Sequence, residues 1–496
     1  MNRQNILLVA ATSIATAAAM LGLPALGQLV QHPAPAVAPA PAPEPQVADR
    51  VLPASQASIQ QSFAPIVRRT APAVVNVFSS VTVRRSNCPY ANDPFWGPFY
   101  CGNAQTRNEK VDNSLGSGVI VGADGVIVTN NHVVEEGQEF RVVLNDRREF
   151  PATLVMKDAK SDLAVLRIDT KGQKLPTLDY ADTRGVQVGD LVLAIGNPFG
   201  VGQSVSSGII SGLARSDVDK SDFNSFVQTD ASINPGNSGG ALVDMNGRLV
   251  GVNSMIFSRG GGSNGIGFAI PSEMVRRVVN AAVNGGTLVR PWIGAKGDPV
   301  TTQLLASLKL DRPRGVVISE IFPDSPAEKA GLKKGDVVLA VDGREVYDEK
   351  GMKFVAATKA EGEIAHLTVL RNGQEQQMQL RLAAPPGTAQ AERKEVGGRN
   401  PFTGAQVVQL SPALAEEIGL DPFKFKDGML IYSAPRRTIA ANVGFQPGDI
   451  IREINGAVIR TPQDLEAAIS KAEKGDGVWR LAFDRNGERI ESTLRS

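Results

Sequence analysis

Between residues 118 and 252, apolar residues come in short runs, and Gly, Asn and Asp close almost every one. The runs at 118–121, 126–128, 140–144, 163–168, 191–195, 241–243 and 249–252 have the length of strands and are too short for helices. Ahead of them, Ile66-Val67 and Val74-Val75-Asn76-Val77-Phe78 predict a helix-like and then a strand-like entry. After Pro271, Ser272-Glu273-Met274-Val275 reads as a capped helix that ends the region near Gly285-Gly286. Repeated short strands with turn signals predict an all-β barrel or sandwich over this part of the chain.

The remainder repeats itself. Pro291-Trp292-Ile293-Gly294-Ala295 corresponds to Pro401-Phe402-Thr403-Gly404-Ala405. Farther on, Gly335-Asp336-Val337-Val338-Leu339 corresponds to Gly448-Asp449-Ile450-Ile451-Arg452. Each unit is about 95 residues, long enough to be a domain. The polar segment from Ala384-Pro385-Pro386-Gly387 to Arg399 reads as the linker between them.

At the other end, Arg3 precedes an uncharged apolar stretch at residues 6–23, followed by the small residues Ala25-Leu26-Gly27. This is an export signal, and its length leaves both a cleaved peptide and a retained membrane anchor open. A Pro/Ala tract over residues 32–45 would extend the chain away from a membrane or a cleavage point. The 496 residues suggest about three domains, and 42% hydrophobic content with 50 glycines fits a strand-and-turn-rich protein. Lys plus Arg less Asp plus Glu is 52 − 51, or +1, which gives no electrostatic reason to expect nucleic acid as a partner. The two cysteines, Cys88 and Cys101, exclude a four-cysteine zinc site. In an exported protein they favour a disulfide over two free thiols.

Candidate chemistry centres on Gly236-Asn237-Ser238-Gly239-Gly240. A glycine-rich turn lets backbone N–H groups converge on an oxyanion beside a nucleophilic serine. The chain holds three histidines. His32 lies in the Pro/Ala tract and His366 in a late strand-like stretch, which leaves His132 in Thr129-Asn130-Asn131-His132-Val133-Val134 as the base. Asp162 opens the run Asp162-Leu163-Ala164-Val165-Leu166 and is the candidate orienting carboxylate; Asp146 and Asp158 are rivals, and Asp230 reads as a brace for the serine loop. The order His132, Asp162, Ser238 is the chymotrypsin order and excludes the subtilisin and α/β-hydrolase orders. It points to a trypsin-like double β-barrel serine protease. Gly116-Ser117-Gly118 with Gly122 hints at a dinucleotide loop, but it leads into a strand where a helix is needed, so that reading is rejected.

Together these motifs resemble the HtrA/Deg (Do-like) family, a trypsin-like protease domain followed by two PDZ domains. The resemblance rests on the His132, Asp162 and Ser238 blocks, on Gly196-Asn197-Pro198-Phe199-Gly200, and on Gly265-Ile266-Gly267-Phe268-Ala269-Ile270-Pro271. It implies a signal or anchor at 1–27, a linker at 28–59, a protease domain at 60–286, PDZ domains at 287–385 and 400–496, and a linker at 386–399. It also implies an ATP-independent periplasmic endopeptidase of protein quality control, acting on unfolded or mislocalised polypeptides and assembled as a homotrimer or larger cage. No metal or organic cofactor is implied.

By the same resemblance, the N–H groups of Gly236 and Ser238, with Asn237 shaping the turn, form the oxyanion hole. Ile233, Ile256 and Ile266 wall the pocket for the residue before the scissile bond, and Gly267 and Phe268 continue an edge that pairs with substrate. Trp292-Ile293-Gly294 forms the loop that holds a ligand's C-terminal carboxylate in the first PDZ domain. The second repeat departs from the pattern at Thr403, and Ser433-Ala434-Pro435-Arg436-Arg437 stands where the first has Ser325-Pro326-Ala327. Asn237 replaces the aspartate that binds a new N-terminus in cleavage-activated relatives, so loop ordering is the expected switch, with residues 259–263 a candidate mobile loop. The aromatic cluster Phe95, Trp96, Phe99 and Tyr100 is expected near subunit contacts or the active-site mouth. A membrane-anchored regulatory protease and a holding chaperone stay open as alternatives.

Overall fold

The strand-and-turn pattern up to Pro271 closes into two antiparallel six-stranded barrels. In the first, β1 (Val74–Ser86), β2 (Thr106–Gly122), β3 (Val126–Asn130), β4 (Glu139–Val143), β5 (Glu149–Asp158) and β6 (Leu163–Ile168) run in the order β1-β2-β3-β6-β5-β4, and β4 closes onto β1. The second contains β7 (Leu191–Gly196), β8 (Ser204–Arg215), β9 (Phe226–Thr229), β10 (Ala241–Asp244), β11 (Leu249–Ile256) and β12 (Gly267–Pro271), ordered β10-β11-β12-β9-β8-β7 and closed by β7 on β10. Closure removes the sheet edges that an open array of short strands would leave. The computed structural model describes residues 62–86, 106–197, 202–215, 225–234, 236–256, 263–285 and 288–495. The amino-terminal stretch, the Pro/Ala tract, Cys88, Cys101, the Phe95–Tyr100 aromatics and most of the 259–263 loop lie outside these residues. Among those described, no helix is long and apolar enough to cross a membrane, and no group of three or more His, Cys, Asp or Glu could hold a metal ion.

Two-sided burial explains why several strands are apolar without interruption. Along β6, Leu163 and Val165 join the large cluster that runs between the barrels, while Ala164 and Leu166 fill the interior of the first. In the second barrel, Leu193 and Ile195 of β7 face the shared cluster, and Ala194 faces inward. Each successive residue of such a strand is buried on one face or the other. Helix Ser272–Val283 follows β12 directly and buries Met274, Val275, Val278 and Ala282 in the shared cluster. The cap expected of Ser272 is absent. Its hydroxyl instead donates to the Ala181 carbonyl at 3.0 Å, and Pro271 stands at the cap position without a side-chain hydrogen bond.

The internal repeat is a repeat of structure. The first unit is a six-stranded sheet with β13 (Ala295–Pro299) at its edge beside β14 (Val316–Ile321), and the second is a seven-stranded sheet in matching order. Asp336, 3% exposed, takes two hydrogen bonds from Arg371, which also donates to the Gly331 carbonyl. Asp449, 1% exposed, takes two from Arg485, which donates to the Gly444 carbonyl.

Two details of the sequence reading change. The counterpart of Ser325 is Thr438, not the Ser433–Arg437 stretch. Ser325 caps helix Pro326–Lys329 and packs on Gly294, and Thr438 caps helix Ile439–Val443 and packs on Gly404. The segment expected as linker also contributes a strand, because Lys394–Glu395 pairs with Gln406–Gln409.

Charged side chains fasten the repeats to the barrels. Arg344 of the first repeat donates to Glu273, which also accepts from Thr183 at 2.6 Å. Arg290 pairs with Asp158, whose carboxylate accepts from Ser161 as well. Lys160 donates to the Glu416 carbonyl at 3.0 Å and to Glu417 at 2.9 Å in the second repeat. Between the repeats, Phe423 packs on Trp292 and Phe322, with ring centroids about 6 Å away, and Lys296 pairs with Asp421.

Candidate active site

Pairing of β3 with β6 brings the first two candidate residues together. Asn130, at the end of β3, lies opposite Leu163, at the start of β6. His132, two residues beyond the one, therefore meets Asp162, one residue before the other. His132 Nδ1 lies 2.9 Å from Asp162 Oδ2 and 3.0 Å from Oδ1, and the His132 backbone N–H donates to Oδ1 at 3.1 Å. Asp162 holds φ 52°, a left-handed conformation that Asp tolerates better than most residues. Its carbonyl accepts from the Asn131 N–H and from Asn130 Nδ2, both at 3.0 Å. With the Nδ1 proton engaged, Nε2 is the ring's proton acceptor. The His132 side chain is 46% exposed and that of Asp162 16%, so the imidazole is open to solvent while its partner is largely covered.

None of the rival carboxylates approaches His132 by hydrogen bond. Asp146 accepts from Arg148, whose side-chain hydrogen bond holds the carboxyl below its ordinary range despite some burial. Asp158 is taken by Arg290 and Ser161. Asp230 accepts the Ile209 N–H at 2.7 Å, which ties the end of β9 to β8.

Ser238 enters from the second barrel, on the turn before β10. Gly236 and Gly239 in this turn have φ 98° and 83°, which only glycine adopts freely. The first barrel holds the turn through β2. The Ser117 N–H donates to the Ser238 carbonyl at 2.8 Å, and the Ser117 hydroxyl donates to the Gly236 carbonyl at 2.6 Å. That hydroxyl accepts the Asn197 N–H at 2.8 Å, while the Ser117 carbonyl accepts from Thr129 Oγ1 at 2.7 Å. A Cβ on Gly239 would lie 2.1 Å from the Ser117 carbonyl oxygen, so the contact requires glycine. Gly116-Ser117-Gly118, set aside as a false nucleotide loop, is the seat of the serine turn. Glycine in a strand often marks such a close backbone approach.

Ser254 on β11 joins the two halves of the site. Its hydroxyl donates to Asp162 Oδ2 at 2.8 Å, and its carbonyl accepts from Ser238 Oγ at 3.1 Å. The Ser238 hydroxyl rests on that carbonyl, and among the described residues no hydrogen bond joins it to His132. Asn237 is 3% exposed, with its N–H on the Asn234 carbonyl at 2.9 Å, whereas the Gly236 and Ser238 N–H groups donate to no acceptor among the described residues. Ser117 and Ser254 carry no distinguishing sequence signal beyond the glycines that flank Ser117.

The expected specificity residues separate. Ile233 is 1% exposed and packs in the core of the second barrel with Ala231, Ile210 and Ala269, so it is a floor rather than an open wall. Ile266 is half-buried, and the Ile256 side chain lies outside the described residues. Gly267 and Phe268 form no substrate-pairing edge. Strand β12 lies between β9 and β11, with Gly267 opposite both Thr229 and Ile256, and the Phe268 ring is buried 5.8 Å from Phe226. A Cβ on Gly267 would meet Ile233 Cδ1 at 2.8 Å, so the glycine fits the isoleucine beneath it. In the first repeat, Trp292 and Ile293 are buried and Gly294 has φ 74°, which leaves main chain as what this loop can offer a ligand.

Two barrels with this site in the cleft between them, followed by a duplicated domain, define a trypsin-like serine endopeptidase carrying two PDZ domains. The model for the trypsin-like peptidase domain matches residues 116–252, and PDZ domain models match 294–382 and 431–478. The chain belongs to the HtrA/DegP family of periplasmic serine endoproteases. It is 37% identical to the probable periplasmic serine endoprotease DegP-like of Halomonas elongata, over 89% of this chain and 95% of that one. It is 35% identical to the periplasmic serine endoprotease DegP of Escherichia coli K12, over 84% and 89%. Among solved structures, the HtrA-type protease AlgW with decapeptide is 39% identical and covers 66% of this chain and 99% of its own, with a TM-score of 0.49.

Proposed function

We propose that the chain cleaves unfolded or mislocalised polypeptides in the periplasm without ATP, with Ser238 as nucleophile, His132 as general base and then acid, and Asp162 orienting His132. The observation that carries this reading is the continuous frame of Ser238 on Ser254, Ser254 on Asp162 and Asp162 on His132. Rotation about the Ser238 Cα–Cβ bond takes Oγ from the Ser254 carbonyl toward His132 Nε2. An extended substrate that donates its own N–H to the Ser254 carbonyl favours this rotation by taking the acceptor. Oγ then bonds to the scissile carbonyl carbon as its proton passes to Nε2, and the oxyanion is received by the Gly236 and Ser238 N–H groups. Collapse breaks the C–N bond, and His132 returns the proton to the leaving amine. Water repeats the sequence on the acyl-enzyme.

Cleavage should follow Val, Ile, Ala or a similar small aliphatic residue. Ile233 and Gly267 leave a shallow apolar floor beside Ile266, and a charged side chain there would be unpaired at a cost of several kcal/mol. Mass-spectrometric mapping of casein fragments tests this, and a majority of cuts after Lys, Arg or Phe would refute the pocket. In this reading the protease occupies residues 60–286, the first PDZ domain spans 287–385 and holds C-termini through Trp292-Ile293-Gly294, and the second spans 400–496 with the Lys394–Glu395 strand added. The active form is a homotrimer built through the protease domains. The full chain should sediment at three times its own mass or a multiple of it at micromolar concentration, and a monomer would refute the assembly.

A further inference from the structure

The second PDZ sheet has one strand more than the first, and that strand stands where a ligand would add. A PDZ domain holds a C-terminus by pairing it to a sheet edge. In the first domain β13 is such an edge. In the second, the equivalent strand Gln406–Gln409 is covered on its outer side by Lys394–Glu395, antiparallel, with Lys394 opposite Val407 and Glu395 opposite Gln406.

The pairing runs one residue farther and reaches the carboxylate loop. The Val396 N–H donates to the Ala405 carbonyl at 2.9 Å, and the Gly404 N–H donates to the Val396 carbonyl at 2.8 Å. Gly404 is the counterpart of Gly294, so an N–H of the second carboxylate loop is already satisfied by this chain. The Val396 side chain is 9% exposed and joins the core cluster that includes Val407, Leu465 and Ala468, the latter two from helix Pro462–Glu473. Lys394 pairs with Glu466 on the same helix. A cleft of about 240 Å³ remains beneath, lined by Lys394, Val396, Val407, Leu465, Glu466 and Ile469 among others. Directly after Val396, Gly397-Gly398 turns the chain away, with Gly398 at φ 90°. Asn400, 3% exposed, ties the turn by donating to the Gly397 carbonyl at 2.7 Å and accepting the Phe402 N–H at 3.0 Å.

We propose that Lys394-Glu395-Val396 is a built-in ligand of the second PDZ domain, and that the site beneath it selects an aliphatic residue with a basic residue two positions before. The tether supplies this segment at an effective concentration on the order of millimolar, so a free peptide of micromolar affinity competes poorly. Capture of outside C-termini then falls to the first PDZ domain.

The test uses the full chain carrying Ser238→Ala, so that the probe is not cut, and reads hydrogen exchange amide by amide. The probe is a synthetic Glu-Arg-Lys-Glu-Val peptide with a free carboxylate. In the parent, the Gly404 and Val396 amides should exchange slowly, with no response to 100 µM probe, a concentration about ten times below the effective one. In Val396→Gly, Gly404 should exchange about tenfold faster or more. The probe should restore its protection, and a probe with Glu in place of Lys should restore less. Fast exchange at Gly404 in the parent overturns the proposal. So does a Val396→Gly chain whose protection is kept, or is lost without rescue by the probe, since the strand is then a fixed part of the sheet. If Val396→Gly unfolds the domain, Lys394→Glu decides. This exposed substitution should speed Gly404 exchange about twofold and be reversed by adding Glu466→Lys, and no change in either overturns the assignment.

Discussion

Replacing Ser238 with alanine is expected to lower kcat for casein cleavage by about a million-fold, the loss typical when a triad nucleophile is removed. The fold should barely respond. Among the described residues Ser238 Oγ makes a single hydrogen bond, to the Ser254 carbonyl, and losing it costs about 1 kcal/mol. The turn itself stays fixed by main chain, through Ser117 N–H to the Ser238 carbonyl, Gly239 N–H to the Asn253 carbonyl and Asn253 N–H to the Gly240 carbonyl. Unfolded casein should therefore still bind, which separates chemistry from holding. Labelling by a fluorophosphonate that survives in Ser238→Ala would identify another serine as the nucleophile.

Asp162→Asn should lower kcat by about ten-thousand-fold at nearly unchanged melting temperature. Asn tolerates the left-handed φ of 52° as well as Asp does, and with its amide oxygen at the Oδ1 position it still accepts the His132 backbone N–H while the Ser254 hydroxyl turns to accept from its NH2. Its NH2 group, however, would face His132 Nδ1 as a donor. The imidazole must then accept at Nδ1 and carry its proton on Nε2, where the Ser238 proton has to go. Steady-state kinetics on a short fluorogenic peptide measure the loss without unfolding of the substrate as a complication. A loss below about tenfold would show that Asp162 does not hold the catalytic tautomer.

The fold was legible in the sequence to the extent that burial on two faces leaves an apolar run. The run read at 163–168 coincides with β6, because Leu163 to Leu166 feed two cores in alternation. Strand β5 went unread: its residues alternate between exposed and half-buried, and Pro151, Thr153 and Lys157 interrupt any apolar signal. Strand β8 is rich in Ser and Gly and is defined by its neighbours β7 and β9. His132 stood out because the chain holds three histidines, Ser238 because glycines flank it, and Asp162 because it opens an apolar run. Ser117 and Ser254 did not, since the hydroxyl of each donates to a partner about a hundred positions away in the chain. Lys394-Glu395-Val396 looked like solvent-exposed linker because the sheet edge that makes it a strand lies in the domain that follows.

The turn that precedes Asp162 has a mechanical consequence. Arg290, at the junction with the first PDZ domain, grips Asp158, and Lys160 reaches into the second PDZ domain at Glu416 and Glu417. Only Ser161 separates Lys160 from Asp162, so at most about 7 Å of backbone joins that anchor to the carboxylate that steers His132. So short a connection has almost no slack. A displacement of either PDZ domain that pulled on its anchor would reach the Asp162–His132 hydrogen bonds as tension in a tether, without any need for a pathway through the barrel interior.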